Sequence, residues 1–199
     1  MNTVKEPIRY YKAAVEDAQK VNLFLQKART AQLGLYDGEF PYVIPMAFVW
    51  HNGAFYFHGS DAGKKNRVMA EHPKACFSID EEYGSTIAAV PANLSVAYFS
   101  VVAYGQISLV EDIDEATEAL QVMMDKYVPG YFDKALSKEH VRTYTSSLNS
   151  KTATFKFTPE SITAKESEGD IFKKFFGGRH RNADTQKSKD QVDIPGLHT

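Results

Sequence analysis

The stretch His58-Gly-Ser-Asp-Ala-Gly-Lys-Lys-Asn-Arg67 concentrates the groups best suited to holding an anion. It runs from a strand end through a glycine-containing loop into a helix whose first turn carries Lys64, Lys65 and Arg67. Cations at a helix N-terminus oppose the macrodipole, each at a cost of about 0.3–1 kcal/mol when exposed. A phosphate reverses that balance. It pairs with the lysines while accepting from the free amides of the first turn and from the Ser60 hydroxyl. The alternative is that three long side chains simply reach into water with Asp61 compensating, and the charges alone leave both readings open.

Two apolar runs could complete such a site. In Tyr42-Val-Ile-Pro-Met-Ala-Phe-Val-Trp50 both alternation sets are apolar, so neither face can be left in water. Pro45 lacks a ladder N–H and marks an edge or a bulge. Such an edge could receive a flat aromatic ring, or one face could fill a barrel while the other packs on a second subunit. Tyr98-Phe-Ser-Val-Val-Ala-Tyr-Gly105 is again apolar on both faces with one hydroxyl, Ser100, in its middle; a buried hydroxyl of this kind ordinarily satisfies a backbone group.

Other chemistries find no support in the residues. The histidines at 51, 58, 72, 140, 180 and 198 show no metal-type pairing, and no HExxH pattern or nucleophile elbow occurs. His58, at the strand end, is the one histidine beside the candidate anion site, which makes it the candidate for a catalytic role, against the alternative that it caps a loop. The single cysteine, Cys76, excludes an internal disulfide and a multi-thiolate zinc site, suits a reducing cytoplasm, and reads as a small core hydrophobe. With 23 basic and 25 acidic side chains the net charge is −2, without the broad positive field that indiscriminate nucleic-acid binding requires. No run of 18 apolar residues and no secretory leader is present, so neither membrane spanning nor secretion is expected.

The elements that must position these residues follow from periodicity. Val21, Phe24, Leu25 and Ala28 form one helical stripe behind an Asp17 cap. Extended runs at 31–36, 41–50 and 54–58, joined by Asp37-Gly38 and by His51-Asn52-Gly53, read as a three-stranded meander. A helix over 64–72 and a strand over 74–80 come next, then a poorly patterned 81–95 that reads as loop with room for a short strand at 87–90. The longest extended run, 96–110, is expected to bend or bulge at Gly105. Asp114 is expected to cap a helix with Ala116, Leu120, Met123 and Tyr127 on one face; Ser137 opens another through Leu148; 152–157 and 161–165 close the sheet. The result is a mainly β, α+β domain over 1–166, a small antiparallel barrel with peripheral helices, followed by a polar, mobile tail over 167–199 in which the apolar residues of 171–176 could dock.

The order Tyr42-Val-Ile-Pro45, Tyr56-Phe-His-Gly59, Gly63-Lys-Lys65, Cys76-Phe-Ser-Ile79 and Tyr98-Phe-Ser-Val-Val102 resembles the pyridoxamine 5′-phosphate oxidase-like split-barrel flavoproteins, most closely the branch of the nitroimidazole-resistance proteins. The resemblance spans about residues 17–165. It implies a six-stranded antiparallel Greek-key split barrel, a homodimer, and FMN in a groove at the subunit interface. It further implies that the backbone of Ile44, Pro45 and Met46 faces the flavin ring. His58, Gly59 and Ser60 with Lys64, Lys65 and Asn66 would hold the phosphate, and Ser100 with Val101 would line the site from the long strand. The additional arginine-rich motifs of the vitamin oxidases are not found in this sequence.

The expected function is therefore a cytoplasmic FMN-dependent oxidoreductase passing electrons from NAD(P)H to a small acceptor such as a nitro compound, with the cofactor carrying the redox chemistry. The alternatives are a non-catalytic protein that binds flavin or haem for storage or sensing, and a dimeric barrel with an empty groove. Neither nucleic acid nor membrane is an expected partner.

Overall fold

A computed structural model describes residues 8–88, 90–145, 151–182 and 184. Residues 1–7, Ala89, the 146–148 portion of the expected fourth helix, and 183 and 185–199 of the expected tail lie outside that description.

Seven strands form one antiparallel sheet: β1 (Thr30–Tyr36), β2 (Pro41–Ala47), β3 (Val49–His51), β4 (Ala54–Ser60), β5 (Lys74–Thr86), β6 (Ser95–Leu109) and β7 (Thr152–Ser167). Their order is β2-β1-β5-β6-β7-β4-β3. The expected meander is thus divided. The apolar run 41–50 breaks at Phe48, so that β2 pairs with β1 at one end of the ladder and β3 pairs with β4 at the other. The hydrogen-bonded sheet is not closed. Its two ends are joined covalently through Phe48, and counting 41–51 as one interrupted strand recovers the six expected strands.

Both hairpin turns form as their residues dictate. Gly38 takes φ +98°, and the Asp37 carboxylate accepts the amides of Glu39 and Phe40. Asn52 and Gly53 both take positive φ, the conformation that matches a two-residue turn to strand twist. Gly105 sits at the expected irregularity, where the β6–β7 register shifts, because a β-carbon there would strike the Thr158 carbonyl. The stretch 81–86 is not loop, as its acidic composition suggests, but the continuation of β5, bulged at Gly84 and paired with the start of β6. The expected short strand at 87–90 does not form among its described residues, and β7 is one long strand instead of two.

Inward side chains fill the barrel with aromatic rings. Phe48, Phe55, Phe57, Phe77 and Phe157 are wholly buried, with Phe55 stacked on Phe77 and Phe57 on Phe155. Outside the barrel, among the described residues, sit α1 (Ala18–Lys27), α2 (Lys64–Glu71), α3 (Ile113–Tyr127) and α4 (Lys138–Thr143). Asp17 caps α1 as expected, through the amides of Gln19 and Lys20. The cap of α3 is Asp112, not Asp114: the Asp112 carboxylate accepts the Asp114 amide and leaves Asp114 in the first turn. Helix α3 lays Ala116, Ala119 and Met123 against Val49, Ala54 and Tyr56, so β4 is covered on both faces.

Away from α3, the outward surface of the sheet is half-buried to exposed. Val43, Gly34, Cys76 and Tyr104 form one cross-strand row on it, and Pro45, Gln32, Ser78, Val102 and Thr163 a second. Cys76 belongs to this outward face and is half-buried, not a core residue. Beyond β7, residues 171–175 add backbone hydrogen bonds to the β5 extension, Ile87 N to Lys173 O and Phe175 N to Ser85 O. The side chains of Ile171, Phe172, Phe175 and Phe176 stay exposed.

Candidate functional site

Strand β4 delivers His58, Gly59 and Ser60 to a corner from which α2 departs. The loop between them is shaped by Gly63, whose φ of +95° turns the chain into the helix without a side-chain cap. No acidic residue occupies the first turn of α2. The helix therefore opens with uncapped amides and a positive dipole end next to basic side chains. Ser60 Oγ accepts the Ala62 amide at 3.1 Å, and Asn66 donates its side-chain amide to the Asp61 carbonyl; both shape the loop.

The two lysines are not equivalent. Lys64 pairs with Asp37 at 2.8 Å and lies over the Tyr42 ring, fastening the β1–β2 turn to α2. That ammonium, with the two turn amides, holds the Asp37 carboxyl far below the usual carboxylate range. Lys65 instead folds back over Gly59, where a β-carbon would run into its amine, and extends toward the Phe155 ring. It is half-buried, burial pushes its pKa down, and among the described residues no carboxylate lies within ion-pair distance of it.

Next to this corner lies a cavity of about 610 Å³. His58, Gly59 and Ser60 form one wall and Ala47 the end of β2; Leu120, Met123, Met124, Tyr127 and Val128 come from α3 and the turn after it. Leu136, His140, Val141 and Tyr144 close it from α4 and its flanks. His58 Nδ1 approaches Met123 Sδ at 3.0 Å. Burial, and secondarily the Lys65 charge, hold the His58 imidazole below its ordinary pKa, so it is neutral at pH 7.

The residues expected in one site thus fall in two places. The corner gathers His58, Gly59, Ser60, Lys64, Lys65 and Asn66. Pro45 and Ser100 stand on the outward sheet face, Ser100 in register with Asp80 and Lys165. Ile44 and Met46 turn the other way and pack half-buried against the core. Val101 is enclosed in the barrel with no exposed surface, so its side chain cannot line a groove.

The α3–α4 wall was not among the expected site residues. Leu120, Met123 and Tyr127 announce only a buried helix face, and the adjacent Met123-Met124 pair is the one signal of an adaptable apolar wall. Also unanticipated is Lys126, whose amine donates to the carbonyls of Ala28 at 2.5 Å and Phe48 at 3.1 Å. Burial and nearby Arg29 pull its pKa to about 8. Among the described residues, no group of three or more His, Cys, Asp or Glu side chains could hold a metal ion, and no helix is long and apolar enough to cross a membrane.

Comparison with solved structures finds the same architecture elsewhere. The flavocytochrome Anf3 from Azotobacter vinelandii superimposes with a TM-score of 0.70 at 23% identity, over 82% of this chain and 73% of that one. A FAD and haem binding protein from Mycobacterium smegmatis gives 0.67 at 19%, over 79% and 74%. A protein assigned to 5-nitroimidazole antibiotic resistance, from Bacteroides thetaiotaomicron, gives 0.61 at 24%, over 76% and 85%. No curated protein matches the sequence. The split sheet whose two ends meet at Phe48 and the glycine-bounded corner at β4–α2 lie within the span 17–166 matched by the family model for pyridoxamine 5′-phosphate oxidase, and the chain belongs to that family.

Proposed function

We propose that this protein is an FMN-binding oxidoreductase that takes electrons from NAD(P)H and passes them to a small acceptor such as a nitro compound. The observation that carries the reading is Lys65: a half-buried ammonium without a carboxylate partner among the described residues, beside uncapped α2 amides and above a glycine. A buried charge without a counter-charge is costly, and a phosphate monoester offsets that cost while accepting from the helix amides. The donor set at the corner fits such a group: Ser60, the α2 amides and Lys65 hold it, with Lys64 keeping the neighbouring turn in place. When bound, the isoalloxazine supplies two-electron acceptance and release. The protein binds its phosphate, encloses it with the apolar cavity wall, and keeps His58 neutral beside it.

Homodimerisation belongs to the same reading. An outward face with Gly34, Cys76, Ser78, Ser100 and Val102 across its central strands, flanked by Val43 and Pro45, suits close approach of a second copy. That approach would bring Pro45 and Ser100 to the seam, and a cytoplasmic setting agrees with the single unpaired Cys76.

Mass spectrometry of the small molecule released on denaturing the purified protein tests the reading. FMN, in a yellow protein bleached anaerobically by reduced nicotinamide, is the expected result. FAD would keep the flavin and change the nucleotide, and a yellow protein that does not bleach would favour storage or sensing. A second reading, haem binding, draws support from the cavity itself. His58 and His140 both border a largely apolar space beside Met123, and two of the fold's neighbours are a flavocytochrome and a FAD and haem binding protein. A red-brown preparation with a Soret band would support it. A colourless protein that takes up neither cofactor overturns both.

A further inference from the structure

We infer that Lys126 and Tyr127 are positioning residues that set the width of the cavity by latching the β2–β3 break to the C-terminal end of α3; the inference rests on the reading that this cavity receives the cofactor. Phe48 alone separates β2 from β3, and both its backbone groups leave the ladder there. Helix α3 receives them: the Phe48 amide donates to the Tyr127 hydroxyl at 3.0 Å, and the Phe48 carbonyl accepts from the Lys126 amine at 3.1 Å. The same two side chains reach the α1–β1 junction, Lys126 donating to the Ala28 carbonyl and Tyr127 to that of Arg29. The Tyr127 hydroxyl also lies 3.0 Å from the Phe48 carbonyl, so one helix end ties two chain segments together by five polar contacts.

The chemistry of the tie is specific. The Lys126 ammonium lies 4.5 Å from the centre of the Phe48 ring and faces carbonyl oxygens, not a carboxylate. Partial burial of this ammonium against carbonyls costs free energy, which a methionine of similar length would not incur, and the same burial lowers its pKa. What a methionine cannot do is grip two carbonyls at once.

The position of the tie gives it its consequence. Ala47, immediately before Phe48, borders the cavity on one side, and Met123, Met124, Tyr127 and Val128 border it on the other. Lys126 itself does not line the cavity. It acts through Phe48 on the span between β2 and α3, and a displacement of that span by about 1 Å is enough to cost a bound ligand much of its fit.

The test uses the full-length protein as wild type, Lys126→Met and Lys126→Arg. Amide exchange at Phe48 and Val49 reads the latch without any cofactor, and FMN titration, with the visible circular dichroism of the bound flavin, reads its consequence. In Lys126→Met, exchange at these amides is expected to quicken at least about tenfold while the β5–β6 pairing is unchanged. FMN affinity is expected to fall about tenfold, with an altered dichroism at saturation. Lys126→Arg, which keeps a donor for the carbonyls, is expected to recover most of both. Unchanged exchange in Lys126→Met overturns the latch, and faster exchange with unchanged FMN affinity and dichroism overturns its positioning role. Should Lys126→Met not fold, Tyr127→Phe, which removes one hydroxyl, takes its place with amide exchange at Phe48 and Val49 as the deciding readout, since Tyr127 itself borders the cavity: unchanged exchange overturns the latch. If the wild type takes up no FMN, the flavin reading fails by itself, and the exchange result alone decides the latch.

Discussion

The cavity is bounded on its two sides by opposite kinds of matter. At the β4–α2 corner, backbone amides, a hydroxyl and an uncompensated ammonium stand within a dozen consecutive residues. Across from them, the wall from α3, α4 and their flanks is mostly leucine, methionine, valine and tyrosine, with His140 as its one imidazole. The corner can select an anion and give little shape; the wall can enclose a flat body and gives almost no directional bonding. A ligand that carries a phosphate at one end and an extended ring at the other satisfies both, and neither side alone would identify it. The corner itself repeats the contrast on a smaller scale. Lys64 is occupied by Asp37 and serves the fold, while its neighbour Lys65 has no such partner among the described residues.

The largest effects should separate wall from corner. Met123 is nearly buried between α3 and β4 and touches His58, so Met123→Ala is expected to lower folding stability by about 2–5 kcal/mol, measured by urea unfolding. A loss under about 1 kcal/mol would mean that the wall collapses around the gap and is softer than its packing suggests. Lys65→Ala should behave in the opposite way. It leaves stability nearly unchanged or slightly higher, since a buried ammonium is removed, and weakens FMN binding by about 10- to 100-fold, the worth of one or two charge-assisted hydrogen bonds. Lys64→Ala should change FMN affinity by no more than a few fold and instead loosen the Asp37 turn. A titration in which Lys64→Ala is the worse binder would reverse the assignment of the two lysines.

What the sequence disclosed follows the same division. The corner was legible because its signals are local: Gly59, Gly63, Lys64 and Lys65 are close neighbours whose backbone conformation and charge carry meaning by themselves. The Asp37-Gly38 and Asn52-Gly53 turns and the Gly105 bulge were legible for the same reason. The break at Phe48 was not, since nothing within 41–50 interrupts the apolar run. It depends on side chains 78 and 79 residues away in sequence, at the end of α3. The stretch 81–86 read as loop because pairing with the start of β6, a long-range event, overrides its poor strand propensity. Val101 was carried into the site by resemblance, and alternation in β6 turns it into the core, whereas Ser100 faces outward. Pairing between Lys64 and Asp37 was equally invisible, because the turn and the helix meet only in the fold.

Smaller effects sharpen the account of the wall. Asp112→Ala removes the α3 cap and should cost about 1 kcal/mol, whereas Asp114→Ala, which loses only an exposed ion pair with Lys138, should cost a few tenths. Equal losses in thermal unfolding would put the helix start two residues later.

The smallest expected effect sits where wall and corner meet. His58 is held neutral by burial against Met123 and by the Lys65 charge, so its folded pKa lies below the ordinary value of about 6.5. As pH falls through that ordinary value, the unfolded chain takes up a proton that the folded chain resists. The unfolded state then binds more protons, and stability declines as acidification proceeds from about pH 6.5 toward the depressed folded pKa. The contribution is fully present at neutral pH and lost on the acid side. His58→Gln, which cannot titrate, should flatten this part of the stability curve, and Lys65→Ala should shorten the decline, because removing the neighbouring charge brings the folded pKa closer to the ordinary value. A wild-type curve that rises on acidification over the same interval would mean that His58 gains a proton on folding. The imidazole would then face an anion, and the neutral histidine assigned to the meeting point of the two sides would be wrong.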